Sequence, residues 1–87
     1  MTQVFEIKNK LGLHARAAAA FVKIANRYSS EILVQKDEMK VNGKSIMGVL
    51  MLAASKGTKI AVTAKGHDSK EALEALHNLI ENKFGEE

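Results

Sequence analysis

Apolar and polar side chains alternate from Thr2 to Lys8, with Phe5 and Ile7 on one face, and this period of two predicts a strand. Asn9-Lys10-Leu11-Gly12 interrupts it as a loop. From about Ala15 the period changes. Ala18, Phe21, Val22 and Ala25 recur at helical spacing in an Ala-rich stretch of high helix propensity, which is expected to fade near Asn26–Tyr28. A second strand is predicted over Glu31–Lys36, and Asp37-Glu38 turns it into a short third strand around Met39–Asn42. Asn42-Gly43 breaks that strand, and Ser45 stands where a helix N-cap belongs, ahead of the apolar run Ile46–Leu52. Lys56-Gly57 ends this helix, and Thr58–Lys65 forms a fourth strand with Ile60, Val62 and Ala64 on one face. Asp68 followed three residues later by Glu71 has the spacing of a capping box. It opens a last helix whose apolar stripe is Ala72, Leu73, Leu76, Leu79, Ile80 and Phe84.

The order is βαββαβα. Four strands and three helices in 87 residues predict an α+β domain, one largely antiparallel sheet with helices on one face and water on the other. The length sets the expectation of one domain spanning residues 1–87. With 46% apolar residues and no Trp, the chain has material for one modest core and little for a deep active site, so function is expected at the surface. The lack of Cys excludes disulfides, thiolate chemistry and Cys-based zinc sites. No charged segment followed by an apolar core opens the sequence, and the longest apolar run, Ile46–Ala54, is far short of a membrane span. A cytoplasmic protein without membrane insertion is expected. Thirteen Lys and Arg oppose ten Asp and Glu, for a net charge of +3. Lys8, Lys10, Arg16, Lys23 and Arg27 meet only Glu6 in the first third, which suits a negatively charged partner.

Of the three histidines, His67 reads as an exposed turn residue and His77 as the edge of the last helix's apolar stripe; neither has the spacing of a metal pair, and no metal site is expected. His14 directly precedes the first helix, where backbone N–H groups lack internal partners and the helix dipole is positive. Such a terminus attracts anions, and the N–H groups of Ala15, Arg16 and Ala17 are the candidate phosphate donors. The Arg16 side chain adds a guanidinium matched to phosphate oxygens. These positive groups favour a neutral, nucleophilic imidazole. Position alone leaves an ordinary helix-start histidine open as well. Ser45 reads equally as a plain N-cap. Val49 and Leu52 suffice to fill the buried side of the short helix, which leaves Ile46, Met47 and Leu50 either in the core or in a docking patch for partners, with Ala19, Ala20 and Lys23 of the first helix.

Two segments carry a resemblance. Gly12-Leu13-His14-Ala15-Arg16 is similar to the phosphorylation-site signature of HPr, the histidine-containing phosphocarrier family of the bacterial sugar phosphotransferase system, and Lys44-Ser45-Ile46-Met47-Gly48-Val49 resembles that family's regulatory serine segment, at the family's separation. The resemblance covers essentially the whole chain. It implies an open-faced sandwich of four antiparallel strands and three helices. It implies that His14 accepts phosphate at Nδ1 from enzyme I and donates it to enzyme IIA, with Arg16 assisting the phosphoryl group. Ser45 becomes a target of an HPr kinase/phosphorylase. No cofactor is implied, and the chain is expected to be a monomer and a reactant more than an independent enzyme. The family usually has Pro where this chain has Ala17, which keeps helix propensity and adds a free N–H, so the chemistry is expected to survive. The departure also raises a nitrogen-branch paralogue as an alternative, beside a regulatory interaction protein acting through Ser45. Nucleic-acid binding is not expected, because the sheet is poor in aromatics and no basic block appears.

Overall fold

The structure, a computed structural model, describes residues 1–86. Strands β1 (Thr2–Glu6), β2 (Glu31–Lys36), β3 (Met39–Asn42) and β4 (Lys59–Lys65) form one sheet in the order β1-β4-β2-β3, every neighbouring pair antiparallel. Helices α1 (Ala15–Ala25), α2 (Ile46–Met51) and α3 (Ser69–Glu81) complete an α+β fold of order βαββαβα, and a short 3-10 turn follows at Lys83–Gly85. The strand register places Phe5 opposite Ile60 and Val34 opposite Val62, so the alternation read in each strand converges on one face. That face, with Ile32 and Ala64, is buried in a single cluster with Ala18, Phe21 and Val22 of α1, Val49 of α2, and Leu73, Leu76 and Ile80 of α3. The opposite face carries exposed Val4 and half-buried Leu33, Gln35, Ala61 and Thr63.

The predicted elements form, with small boundary shifts. β1 stops at Glu6, yet Ile7 continues the edge by donating to the Thr58 carbonyl and accepting from Gly57 N–H, at 2.9 and 2.8 Å. Helix α2 has only six residues, too few to hold by propensity. Ser45 Oγ accepts from Gly48 N–H at 3.1 Å at one end, Lys36 Nζ donates to the Leu52 carbonyl at 3.0 Å at the other, and Val49 is fully buried between. Replacing Ser45 by Ala removes the cap and is expected to cost about 1 kcal/mol, read as a melting temperature lower by roughly 4–8 °C.

Two expectations at the last helix need correction. Asp68 is the residue before α3, but its carboxylate makes no cap bond there. It accepts instead from Ser29 N–H at 2.9 Å, from Ser30 N–H at 3.0 Å and from the Ser30 hydroxyl. Those donors sit in the turn into β2, and several of them on one carboxylate outweigh a single cap bond. The apolar stripe also does not run on to Phe84 as helix. α3 ends at Glu81, and Lys83 and Phe84 turn left-handed, with φ of 55° and 57°, to bring the Phe84 ring down onto the core.

The Asp68 bonds predict a pH dependence. The Ser30 hydroxyl first, then Ser29 N–H, hold the carboxyl at about 2, below its ordinary 3.8. A carboxyl depressed in the folded state stabilises the fold above its ordinary value, and that stabilisation is lost as pH falls from 3.8 towards about 2. Melting temperatures of the parent and of Asp68→Asn are expected to differ most at neutral pH and to converge across that acid interval.

Candidate functional site

The site starts in the loop that joins β1 to α1. Gly12 N–H donates to the Asn9 carbonyl at 3.2 Å, closing a tight turn, and the Asn9 side chain turns back to donate from Nδ2 to the Gly12 carbonyl at 2.7 Å. The loop is tied to the segment after α2 by Leu13 N–H donating to the Ala54 carbonyl at 2.8 Å. Leu13 is itself buried. This leaves His14 as the N-cap of α1, in extended backbone, with Nδ1 accepting from Arg16 N–H at 3.3 Å. Ala18 is the first residue to donate into the helix, to the His14 carbonyl at 2.8 Å. The N–H groups of Ala15, Arg16 and Ala17 thus lie in the first turn, where no earlier helical carbonyl is available. The Ala17 side chain is fully buried, and the helix starts in register without a proline.

The other ring nitrogen has a partner that sequence reading missed. His14 Nε2 bonds Glu86 Oε2, and Asn9 Nδ2 reaches Glu86 Oε1 at 3.1 Å. Asn9 has no exposed surface, and its Oδ1 is without a partner among the described residues. The His14 bond first, then the Asn9 bond, hold the Glu86 carboxyl below its ordinary range. Arg16 and the helix terminus are therefore not the only charges at the ring: the folded site also sets a carboxylate against it. A sequence signal existed for Asn9, since Asn opening a turn closed by Gly three residues later is a turn pattern. None existed for Glu86, which lies 72 positions from His14.

An open groove of about 640 Å³ runs beside the ring, lined by Lys10, Leu11, His14, Ala15, Arg16 and Glu86. Arg16 is exposed on its wall, and Leu11 is 67% exposed at its lip. The arrangement combines one exposed imidazole nitrogen, first-turn N–H donors and a guanidinium, the parts needed to receive and hold an anionic group on a ring nitrogen.

The remaining candidates are more scattered. Ser45 lies at the start of α2, with Ile46 and Met47 exposed after it. Leu50 is only half-exposed and packs against the core, while Met51, 63% exposed, presents more surface than Leu50. Helices α1 and α2 are in contact, with Ala19 and Lys23 exposed on α1 and Ala20 half-buried. His67 is exposed in its turn, and the His77 ring packs edge-on against Phe5, 5.7 Å between centroids. Among the described residues no group of three or more His, Cys, Asp or Glu side chains could hold a metal ion. No helix among them is long and apolar enough to cross a membrane.

Residues 1–82 match a family model described as the PTS HPr component phosphorylation site. The phosphocarrier protein HPr of Neisseria meningitidis is 52% identical over 86 residues, covering 99% of this chain and 97% of the relative. The HPr-like protein Crh of Halalkalibacterium halodurans is 51% identical over 78 residues, covering 90% of this chain and 93% of its own. A crystal structure of HPr from Thermoanaerobacter tengcongensis superposes with a TM-score of 0.96 at 54% identity, over 100% of this chain and 98% of that one. An HPr dimer from the same organism aligns at 0.81 and 56% identity, over 94% of each chain.

Proposed function

This chain belongs to the HPr family, and we propose that it carries a phosphoryl group on His14, accepting it from phosphorylated enzyme I and passing it to enzyme IIA domains of the sugar phosphotransferase system. The observation that carries this reading is the orientation of His14. Its Nδ1 faces Arg16 N–H at the start of α1, beside an open groove with the Arg16 guanidinium on its wall. A lone pair at Nδ1 can attack phosphorus from that groove. As the nitrogen–phosphorus bond forms, Arg16 N–H can turn from the ring nitrogen to a phosphoryl oxygen, and the guanidinium and neighbouring first-turn N–H groups offset the added negative charge. The same groups hold the phosphoryl group without enclosing it, which suits transfer onward.

Partners are proposed to dock on the exposed apolar side chains Ile46 and Met47, with Leu50 at the edge and Ala19, Ala20 and Lys23 from α1. The monomer is the proposed working form, acting in the cytoplasm as one domain. Phosphorylation of Ser45 by an HPr kinase/phosphorylase would place a dianion beside that patch and weaken docking of an acidic partner surface. Similarity to an HPr-like protein Crh favours a second reading, a regulatory interaction protein acting mainly through Ser45 and protein binding.

Incubation with phosphoenolpyruvate and enzyme I, followed by intact-mass spectrometry, separates the two. The carrier reading expects a gain of one phosphate that is lost in acid, as a nitrogen–phosphorus bond is. No gain with either the sugar-branch or the nitrogen-branch enzyme I would transfer the assignment to the regulatory reading.

A further inference from the structure

We infer that Glu86, braced by Asn9, is a positioning carboxylate that holds the His14 ring with its proton on Nε2, leaves Nδ1 as the phosphoryl acceptor, and balances the positive charge the ring gains on phosphorylation. The inference rests on the carrier reading above and extends it to a residue that reading does not use.

The hydrogen bonds at the two ring nitrogens define the tautomer. An ionised carboxylate can only accept, so Nε2, in contact with Glu86 Oε2, is the donor. A backbone N–H can only donate, so Nδ1, facing Arg16 N–H at 3.3 Å, is the acceptor. Only the neutral form protonated on Nε2 satisfies both. The Arg16 bond is long for an N–H donor, whereas the Glu86 bond is charge-assisted, so Glu86 carries most of the selection.

The carboxylate is itself built in. Asn9, without exposed surface, donates from Nδ2 both to the Gly12 carbonyl at 2.7 Å and to Glu86 Oε1 at 3.1 Å. One oxygen of Glu86 is therefore tied to the loop that carries His14, and the other to His14 itself. The approach of the 83–86 segment is equally specific. Lys83 and Phe84 both adopt left-handed backbone, which costs a non-glycine residue on the order of 1 kcal/mol or more, and burial of Phe84 at 8% exposure offsets it. A segment kept in that conformation delivers Glu86 to the ring.

The chemistry gives the contact a purpose. When the Nδ1 lone pair forms the bond to phosphorus, the bond from phosphorus to the donor's nitrogen, in a phosphohistidyl protein, breaks and its electron pair leaves with the donor. The Nε2 proton stays, so the ring becomes cationic. A carboxylate already bonded at Nε2 stabilises that cation without rearranging, as the buried Asp does for the imidazolium of a Ser-His-Asp triad. Arg16 then serves the phosphoryl oxygens on one side of the ring and Glu86 serves the ring on the other.

Nitrogen-15 NMR of the His14 ring, at a pH where it is neutral, reads the tautomer directly and independently of transfer. The parent is expected to carry its proton on Nε2. In Glu86→Ala the Nδ1-protonated form should rise to a measurable share, and phosphate acquisition from enzyme I should slow about tenfold. Glu86→Gln keeps an acceptor oxygen but not the charge, so it should restore the tautomer while the rate stays low. A parent ring protonated on Nδ1, or a Glu86→Ala protein with unchanged tautomer and unchanged rate, overturns the inference. If the tautomer responds to Glu86→Ala but the parent never gains phosphate, the carrier reading fails and the charge-balancing role falls with it, while the positioning of the ring stands.

Discussion

Replacing His14 by Ala is expected to abolish the acid-labile phosphate gain completely while leaving the fold intact. Ala has no nucleophile to put in the place of Nδ1, and the other two imidazoles offer no substitute site. His67 lies in the turn before α3, and the His77 ring is packed against Phe5. The fold loses little because the His14 side chain is partly exposed and its cap bond to Arg16 N–H is long, 3.3 Å. A weak cap is worth about 1 kcal/mol or less. The Glu86 carboxylate that bonds the ring keeps Asn9 as a partner and is near enough to solvent to be hydrated. A melting curve close to that of the parent, with no mass gain over prolonged incubation, is the expected pair of results. Arg16→Ala should behave differently: it removes a stabilising charge but not the nucleophile, so phosphate is still acquired, roughly ten- to a hundredfold more slowly. A phosphate gain that persists in His14→Ala would place the acceptor elsewhere and remove the basis of the proposed function.

The largest expected effect on stability belongs to Gly12→Ala. Gly12 has a φ of 71°, and a Cβ there would lie 2.4 Å from the Ala54 carbonyl oxygen and 2.9 Å from the Ser55 Cα. Both obstacles are backbone atoms, so no side-chain rotation relieves the clash. The loop must move, which pulls on the bond from Leu13 N–H to the Ala54 carbonyl and on the N-cap position of His14. Left-handed strain and overpacking together are expected to cost about 2–4 kcal/mol, a drop in melting temperature of roughly 10–25 °C for a domain of this size. Gly57→Ala is the control, because Gly57 has a φ of 89° but nothing within 4 Å of the added Cβ. It should show the strain without the clash, about 1 kcal/mol. Equal losses in the two variants would mean that the 53–55 segment does not constrain the His14 loop.

Much of the fold was legible because its signals are local. β2 and β3 stand at the predicted residues, α1 starts at Ala15, and Ser45 caps α2 through a bond to a residue three positions away. Alternation, helical periodicity and cap chemistry act over a few residues, so nothing distant is needed to read them. Asp68 stands at the N-cap position its spacing predicts, but the partners of its carboxylate were not legible, for the complementary reason. Its spacing to Glu71 suits a cap, but folding brings the Ser29 and Ser30 donors across 39 and 38 positions, and several bonds outweigh one. Phe84 continues the apolar stripe in sequence, yet the chain leaves the helix after Glu81 so that the ring can reach the core by another path. In Leu50 and Met51 the pattern gave the right helix but not the rotation of its exposed side.

The candidate site divides along the same line. The sequence by itself determined the imidazole at a helix start, the first-turn N–H groups and Arg16, all within three residues of one another, where helix geometry dictates their relation. Tertiary structure alone decided what faces Nε2. Glu86 is 72 positions from His14 and 77 from Asn9, and only closure of the whole fold, with Phe84 as its anchor, brings the carboxylate to the ring, because no local period or turn rule couples residues so far apart along the chain.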